Sequence, residues 1–131
     1  MILGLGTDII DIRRIEKTIF KFGNRFKNRC FLESEIKRAE SQAKSVNSYA
    51  KRYAAKEACA KALGTGLAKG VFWKDIEVTN NFLGKPIITL HNKAFTILTN
   101  ISKFKCKIEV SLSDEKNYAI ANVIIYKSNE Q

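Results

Sequence analysis

The stretch GLGTDIIDIRRIE, residues 4–16, sets an acid, Asp8, inside an apolar run of Ile2, Leu3, Leu5, Ile9, Ile10 and Ile12. Such a run reads as a β-strand over 2–12, and its glycines at 4 and 6 allow another backbone to come close. Burying a lone carboxylate costs several kcal/mol unless something pairs with it. Asp8 is therefore a candidate ligand-binding residue from the outset.

Working outward, 13–22 (RRIEKTIFKF) has Ile15, Ile19 and Phe22 at amphipathic helical spacing, with Arg13, Arg14, Lys17 and Lys21 on the other face. Gly23 reads as its stop. A second helix is expected over 31–43, with Ile36 and Ala39 inward, and a third over SVNSYAKRYAAKEACAKALGTG, 45–66. Ser45 or Asn47 is expected to cap the third helix and Gly64 to end it. The second half reads as strands at 75–80 and 85–91 joined by NFLGK, a helix at 92–103, and strands at 105–113 and 117–127 around the turn DEKN. No repeat or linker interrupts the chain, so the expectation is one α+β domain over 1–131.

Composition bounds the function. At 45% hydrophobic and 27% charged residues, the chain reads as an ordinary globular protein. No apolar run reaches the roughly 20 residues of a membrane span, and no signal-peptide pattern opens the chain. Three scattered cysteines, Cys30, Cys59 and Cys106, lack a C-x-x-C pair and read as free thiols of a reducing cytoplasm. A net charge of +10 calls for an anionic partner, although an AT-rich genome also inflates Lys, Asn and Ile.

The third helix carries Tyr53, Glu57 and Lys61 at four-residue spacing, one stripe on one face. Taken alone, Glu57 and Lys61 read as a surface ion pair. Taken with Asp8, two carboxylates and a lysine read as a site for a hard cation and phosphate. The GTG turn (Gly64, Thr65, Gly66) reads either as a glycine helix stop or as a phosphate contact backed by Lys56, Lys61 and Lys69. His91 is the only histidine and reads as structural. VSLSDE, 110–115, reads as a strand end turning at Asp114.

Five blocks together resemble one family: GLGTDIIDIRRIE, FLESEI, RYAAKEACAKALGTG, DIEVTNNFLGKP and VSLSDEKNYAIANVII. They are similar to the holo-acyl-carrier-protein synthases, bacterial 4′-phosphopantetheinyl transferases, in the family's order over nearly the whole chain. The resemblance implies a fold with an antiparallel sheet and a long helix packed on it, assembled as a homotrimer with active sites between subunits. It implies transfer of 4′-phosphopantetheine from coenzyme A to a serine of acyl carrier protein in fatty acid biosynthesis, releasing adenosine 3′,5′-bisphosphate, with Mg²⁺. Carried onto this chain, Asp8 and Glu57 match the magnesium ligands. Glu57 matches the base, and Lys61 the lysine that meets the leaving phosphate. Arg52, Lys56, Gly64, Thr65, Gly66, Lys85 and Pro86 match the nucleotide site, and Arg13, Arg14, Lys17 and Lys21 the helix that receives the carrier.

One position departs. Where many members read Ser-x-Ser-His, this chain reads SLSD, with Asp114 in the histidine's place. A carboxylate repels phosphate, so either Asp114 points elsewhere or a lysine such as Lys116 compensates. Two rival readings remain. A basic nucleic-acid-binding module has the charge but lacks a zinc finger, a GXXG loop, an RNP signature or interleaved aromatics. An acyl-carrier-binding protein without catalysis would have no need of Asp8, Glu57 and Lys61 together.

Overall fold

The computed structural model describes residues 1–129. The element order is β1 (Ile2–Asp11), α1 (Ile12–Phe22), α2 (Asn24–Cys30), α3 (Glu33–Glu40), α4 (Ser45–Ala62), β2 (Ile76–Asn80), β3 (Pro86–Leu90), α5 (Asn92–Ile101), β4 (Cys106–Glu115) and β5 (Tyr118–Lys127). β1, β5 and β4 form an antiparallel sheet in that order, and β2 and β3 form a separate antiparallel hairpin. The α+β expectation and the long helix packed on an antiparallel sheet are both observed.

α4 is the centre of the molecule. Alanine is the best helix former and leaves no bulk. Ala50, Ala54, Ala55, Ala58, Cys59 and Ala60 are all fully buried, so neighbouring elements approach α4 from several sides. β1 comes closest. A Cβ on Gly6 would lie 1.8 Å from the Ala58 carbonyl oxygen, and one on Gly4 would lie 2.1 Å from that of Ala62. Only glycine permits this contact, and the contact fixes the height of Asp8 against α4.

The two-residue alternation of β1 turns Gly6, Asp8 and Ile10 inward and Leu5, Thr7 and Ile9 outward. β5 does the same, with Ala119, Ala121, Val123 and Ile125 buried against α4. The outer sheet face pairs Leu5 with Ile124 and Ile9 with Ile120, around a Thr7–Asn122 hydrogen bond of 2.8 Å.

Several local expectations are corrected. Neither Ser45 nor Asn47 caps α4. Lys44 holds the cap position without a side-chain bond, and the Asn47 amide donates to Asp114 instead. α3 is shorter than expected, and it turns Glu35 into the core beside Ala39 while Ile36 is half-buried. α2 was not anticipated, since seven residues are too few to display a periodicity. On α1, Ile12 and Ile15 are buried, Ile19 is partly so, and Phe22 remains 47% exposed. Gly23 ends that helix as expected, at φ 56° with its N–H donating to the Ile19 carbonyl.

Candidate active site

Two carboxylates meet where β1 crosses the last turns of α4. Asp8 is 8% exposed. Its Oδ1 accepts a 3.0 Å bond from the Lys61 ammonium, which also donates to the Thr7 carbonyl at 3.1 Å. Its Oδ2 is buried and has no hydrogen-bond partner. Lys61 therefore does not close the surface pair with Glu57 that its spacing suggested; it crosses to the strand.

Glu57 lies one turn before Lys61 and faces the same carboxylate. Burial and the Asp8 carboxyl together push its pKa up to about 7, while Lys61 and Arg14 pull it back. Both effects favour the neutral acid. A proton on Glu57 is a donor suited to the orphan oxygen of Asp8; without it, two negative charges crowd a half-buried site. Tyr53 completes the stripe one turn earlier, stacked on Trp73 with ring centroids 4.2 Å apart. Burial and the nearby Glu57 raise its phenol to about 12.

The first turns of α4 line a cavity of about 550 Å³, with Asn47, Ser48, Lys51 and Arg52 on one side and Asn80, Gly84, Pro86, Ser111 and Asp114 opposite. Arg52 and Glu57 are five residues apart on α4, about 7.5 Å of axial rise but roughly 140° around the axis, so they leave different sides of the helix. Arg52 is 4% exposed; it donates to Ser48 Oγ at 2.9 Å and to Asn80 Oδ1 at 2.6 Å, and its Nε has no partner. A buried guanidinium with a free donor at a cavity wall suits an anion.

Asp114 also lies on this wall. Its partners are the Asn47 amide at 2.9 Å and the Lys51 ammonium at 3.5 Å, and these hold its carboxyl below the usual range. The lysine that compensates is thus Lys51.

Two sequence expectations change, those for Lys56 and the GTG turn. Lys56 is fully buried, bonded to Glu35 at 2.7 Å and to the carbonyls of Trp73 and Ile76. It has no surface to offer a nucleotide, because three acceptors inside the core hold its charge. The N–H groups of Gly64, Thr65 and Gly66 donate to the carbonyls of Lys61, Ala60 and Ala60. They stop α4 rather than cradle phosphate, the simpler of the two readings of that turn. Lys85 pairs with Glu109 at 3.0 Å, while its neighbour Pro86 lines the cavity.

The basic face of α1 is exposed. Arg13, Arg14, Lys17 and Lys21 border one open groove with Phe22. Arg13 is tied to Asp11 by two bonds of 2.9 and 2.7 Å, and Lys21 lies over the Phe22 ring. Phe20, 93% exposed on the same helix, was not singled out from sequence, because its neighbours hid it inside an apolar pattern. Lys51 was missed as the partner of Asp114, and Arg14 as a charge acting on Glu57, since both relationships span long sequence separations. His91 is structural: its Nε2 meets Glu77 at 3.0 Å, and Glu77 also accepts from Ser34.

Comparison with known proteins agrees with this geometry. Residues 4–123 match the family model of the 4′-phosphopantetheinyl transferase superfamily. A holo-[acyl-carrier-protein] synthase of Rhizobium leguminosarum bv. trifolii is 50% identical over 127 residues, covering 95% of each chain. The crystal structure of holo-[acyl-carrier-protein] synthase from Neisseria meningitidis superposes with a TM-score of 0.85 at 36% identity, covering 97% of this chain and all of that one. A holo-(acyl-carrier-protein) synthase from Bacillus anthracis, solved in complex with CoA (3′,5′-ADP), gives 0.79 at 36% identity, covering 98% and 99%. The chain belongs to the 4′-phosphopantetheinyl transferase superfamily.

Proposed function

We propose that the protein transfers the 4′-phosphopantetheine arm of coenzyme A to a serine hydroxyl of acyl carrier protein, releasing adenosine 3′,5′-bisphosphate, as a step of fatty acid biosynthesis. The observation that carries this reading is the convergence of Asp8, Glu57 and Lys61 where β1 crosses the end of α4.

The donor set fits Mg²⁺. Among the described residues no group of three His, Cys, Asp or Glu comes together, which argues against an all-protein cage. Mg²⁺ asks for less: one or two carboxylates, with water and substrate phosphate filling the remaining positions. Asp8 Oδ2 is an acceptor without a donor, beside a second carboxyl that resists ionisation. A divalent cation would relieve both. Asp8 and Glu57 would hold it, and when bound it supplies positive charge at the pyrophosphate, where negative charge builds during transfer.

The chain's own residues do the rest. The serine oxygen bonds to the phosphorus that carries pantetheine, and the bond from that phosphorus to the nucleotide's 5′-phosphate oxygen breaks. The serine proton needs an acceptor, and the Glu57 carboxylate, facing Asp8 and one turn from Lys61, suits that task. Lys61 can meet the leaving phosphate while remaining tethered to Asp8. Arg52, and Pro86 on the opposite wall, would hold the nucleotide. The exposed α1 cations suit an acidic carrier.

We further infer a homotrimer of single-domain subunits acting in the cytoplasm. The outward Leu5, Ile9, Ile120 and Ile124 give the sheet an apolar face suited to a second subunit. The free thiols Cys30, Cys59 and Cys106 suit a reducing compartment, and no described helix is long and apolar enough to cross a membrane. Sedimentation that finds only monomer at micromolar concentration would remove the trimer.

The test of function is mass spectrometry of apo-carrier incubated with the protein, coenzyme A and Mg²⁺. A gain of one phosphopantetheine unit is expected, and no gain across metal and pH conditions would overturn the assignment.

A further inference from the structure

Asp114 is an acid on the wall of a cavity whose other charged residues are all cations. Four cations line that cavity, namely Arg38, Lys44, Lys51 and Arg52, and Asp114 is the one acidic residue among them. It is not a stray surface charge. Asn47 and Lys51, both from the first turns of α4, hold its two oxygens at 2.9 and 3.5 Å. Its backbone is fixed as well, because β4 pairs Asp114 with Ala119 of β5. The carboxylate is therefore held in place, and it subtracts from the field that any phosphate entering the cavity meets.

We propose that Asp114 is a specificity-determining residue that limits how tightly the cavity holds polyanionic nucleotides. It neutralises Lys51 and leaves Arg38, Lys44 and Arg52 to carry the binding. This rests on the reading of the cavity as the nucleotide site. Its consequence for turnover is direct: coenzyme A and the released bisphosphate carry the same nucleotide phosphates, so a cavity with unopposed charge would retain its product.

A fixed charge acts on a ligand in proportion to the ligand's own charge. Each phosphate monoester carries about −1.5 to −2 at neutral pH. Removing the Asp114 charge should therefore tighten adenosine 3′,5′-bisphosphate more than adenosine 5′-monophosphate. Allowing for screening over roughly one Debye length, Asp114→Asn should bind the bisphosphate about fourfold tighter and the monophosphate about twofold tighter. If Asp114 instead serves to position Lys51, its loss should resemble the loss of Lys51 itself.

The experiment is calorimetric titration of both nucleotides into the full chain, metal-free, at low salt. It compares wild type, Asp114→Asn, Lys51→Gln and the double variant. The expected result is graded tightening in Asp114→Asn, loosening in Lys51→Gln, and a double variant near wild type. Weaker binding in Asp114→Asn, matching Lys51→Gln, would overturn the proposal, as would unchanged affinity. Equal tightening for both nucleotides would also overturn it. If wild type binds neither nucleotide, the nucleotide reading of the cavity fails first and takes this proposal with it.

Discussion

The Lys61 ammonium of α4 bonds the Asp8 carboxylate of β1 at 3.0 Å and the Thr7 carbonyl next to it at 3.1 Å. This cross-element pair, rather than an intrahelical one with Glu57, ties the end of the long helix to the first strand. It leaves Glu57 free to face Asp8, carboxyl to carboxyl.

That arrangement makes the metal-free protein sensitive to pH in a defined direction. Glu57 titrates at about 7 when folded, against an ordinary value of 4.5. Between those values the folded state holds the extra proton, so stability falls as pH rises through the window. Discounted for partial solvent exposure, the loss should be about 1–2 kcal/mol. Denaturant titrations at pH 5 and 7.5 should show it, and Glu57→Gln should abolish the difference. A wild-type protein more stable at 7.5 than at 5, with the reverse in Glu57→Gln, would contradict the assignment.

The close approach of β1 to α4 predicts a severe glycine effect. In Gly6→Ala the new Cβ would meet the Ala58 carbonyl oxygen at 1.8 Å, which no rotamer can relieve. The strand must move off the helix, at a cost of about 3 kcal/mol or more. Asp8, two residues on, moves with it. Thermal unfolding and activity should fall together; a Gly6→Ala protein with wild-type melting would refute the packing described.

Lys56 should behave as a core residue. Breaking its fully buried pair with Glu35 by Lys56→Met should cost about 3–5 kcal/mol. The double variant Glu35→Gln, Lys56→Met should recover part of that loss. In the double variant, nucleotide affinity should remain close to wild type. A large loss of affinity there, without a loss of stability, would return Lys56 to the nucleotide site.

The α1 face predicts a charge-reversal effect confined to the carrier. Lys17→Glu with Lys21→Glu should raise the KM for acyl carrier protein about tenfold or more and leave that for coenzyme A nearly unchanged. Raising the salt should weaken the wild-type carrier interaction in the same way. Equal effects on both substrates would place these lysines elsewhere in the reaction.

How much of this was legible follows from which signals are local. β1, α1 and α4 announce themselves through alternation, helical spacing and an alanine-rich run, each contained in a dozen or so neighbours. Asp8 and Glu57 were found because a charge in an apolar strand and a Tyr-Glu-Lys stripe each stand out without knowledge of contacts. What stayed hidden depends on pairing across the chain. Nothing near Lys56 in sequence reveals Glu35, 21 residues away, as its buried counter-ion. Nothing near Asp114 reveals Asn47, 67 residues away, as its donor. The GTG turn was ambiguous because a helix stop and a phosphate loop use the same residues. The direction of its N–H groups, which decides between them, is a property of the fold.

The most direct measurement is the mass of apo-carrier after reaction with coenzyme A and Mg²⁺, using wild type, Asp8→Asn and Glu57→Gln under identical conditions. The account predicts one added phosphopantetheine unit with wild type. It predicts rates at least a hundredfold lower with either variant, while both remain folded by circular dichroism. Wild-type rates in either variant would contradict the claim that the Asp8–Glu57 pair is the centre of the reaction.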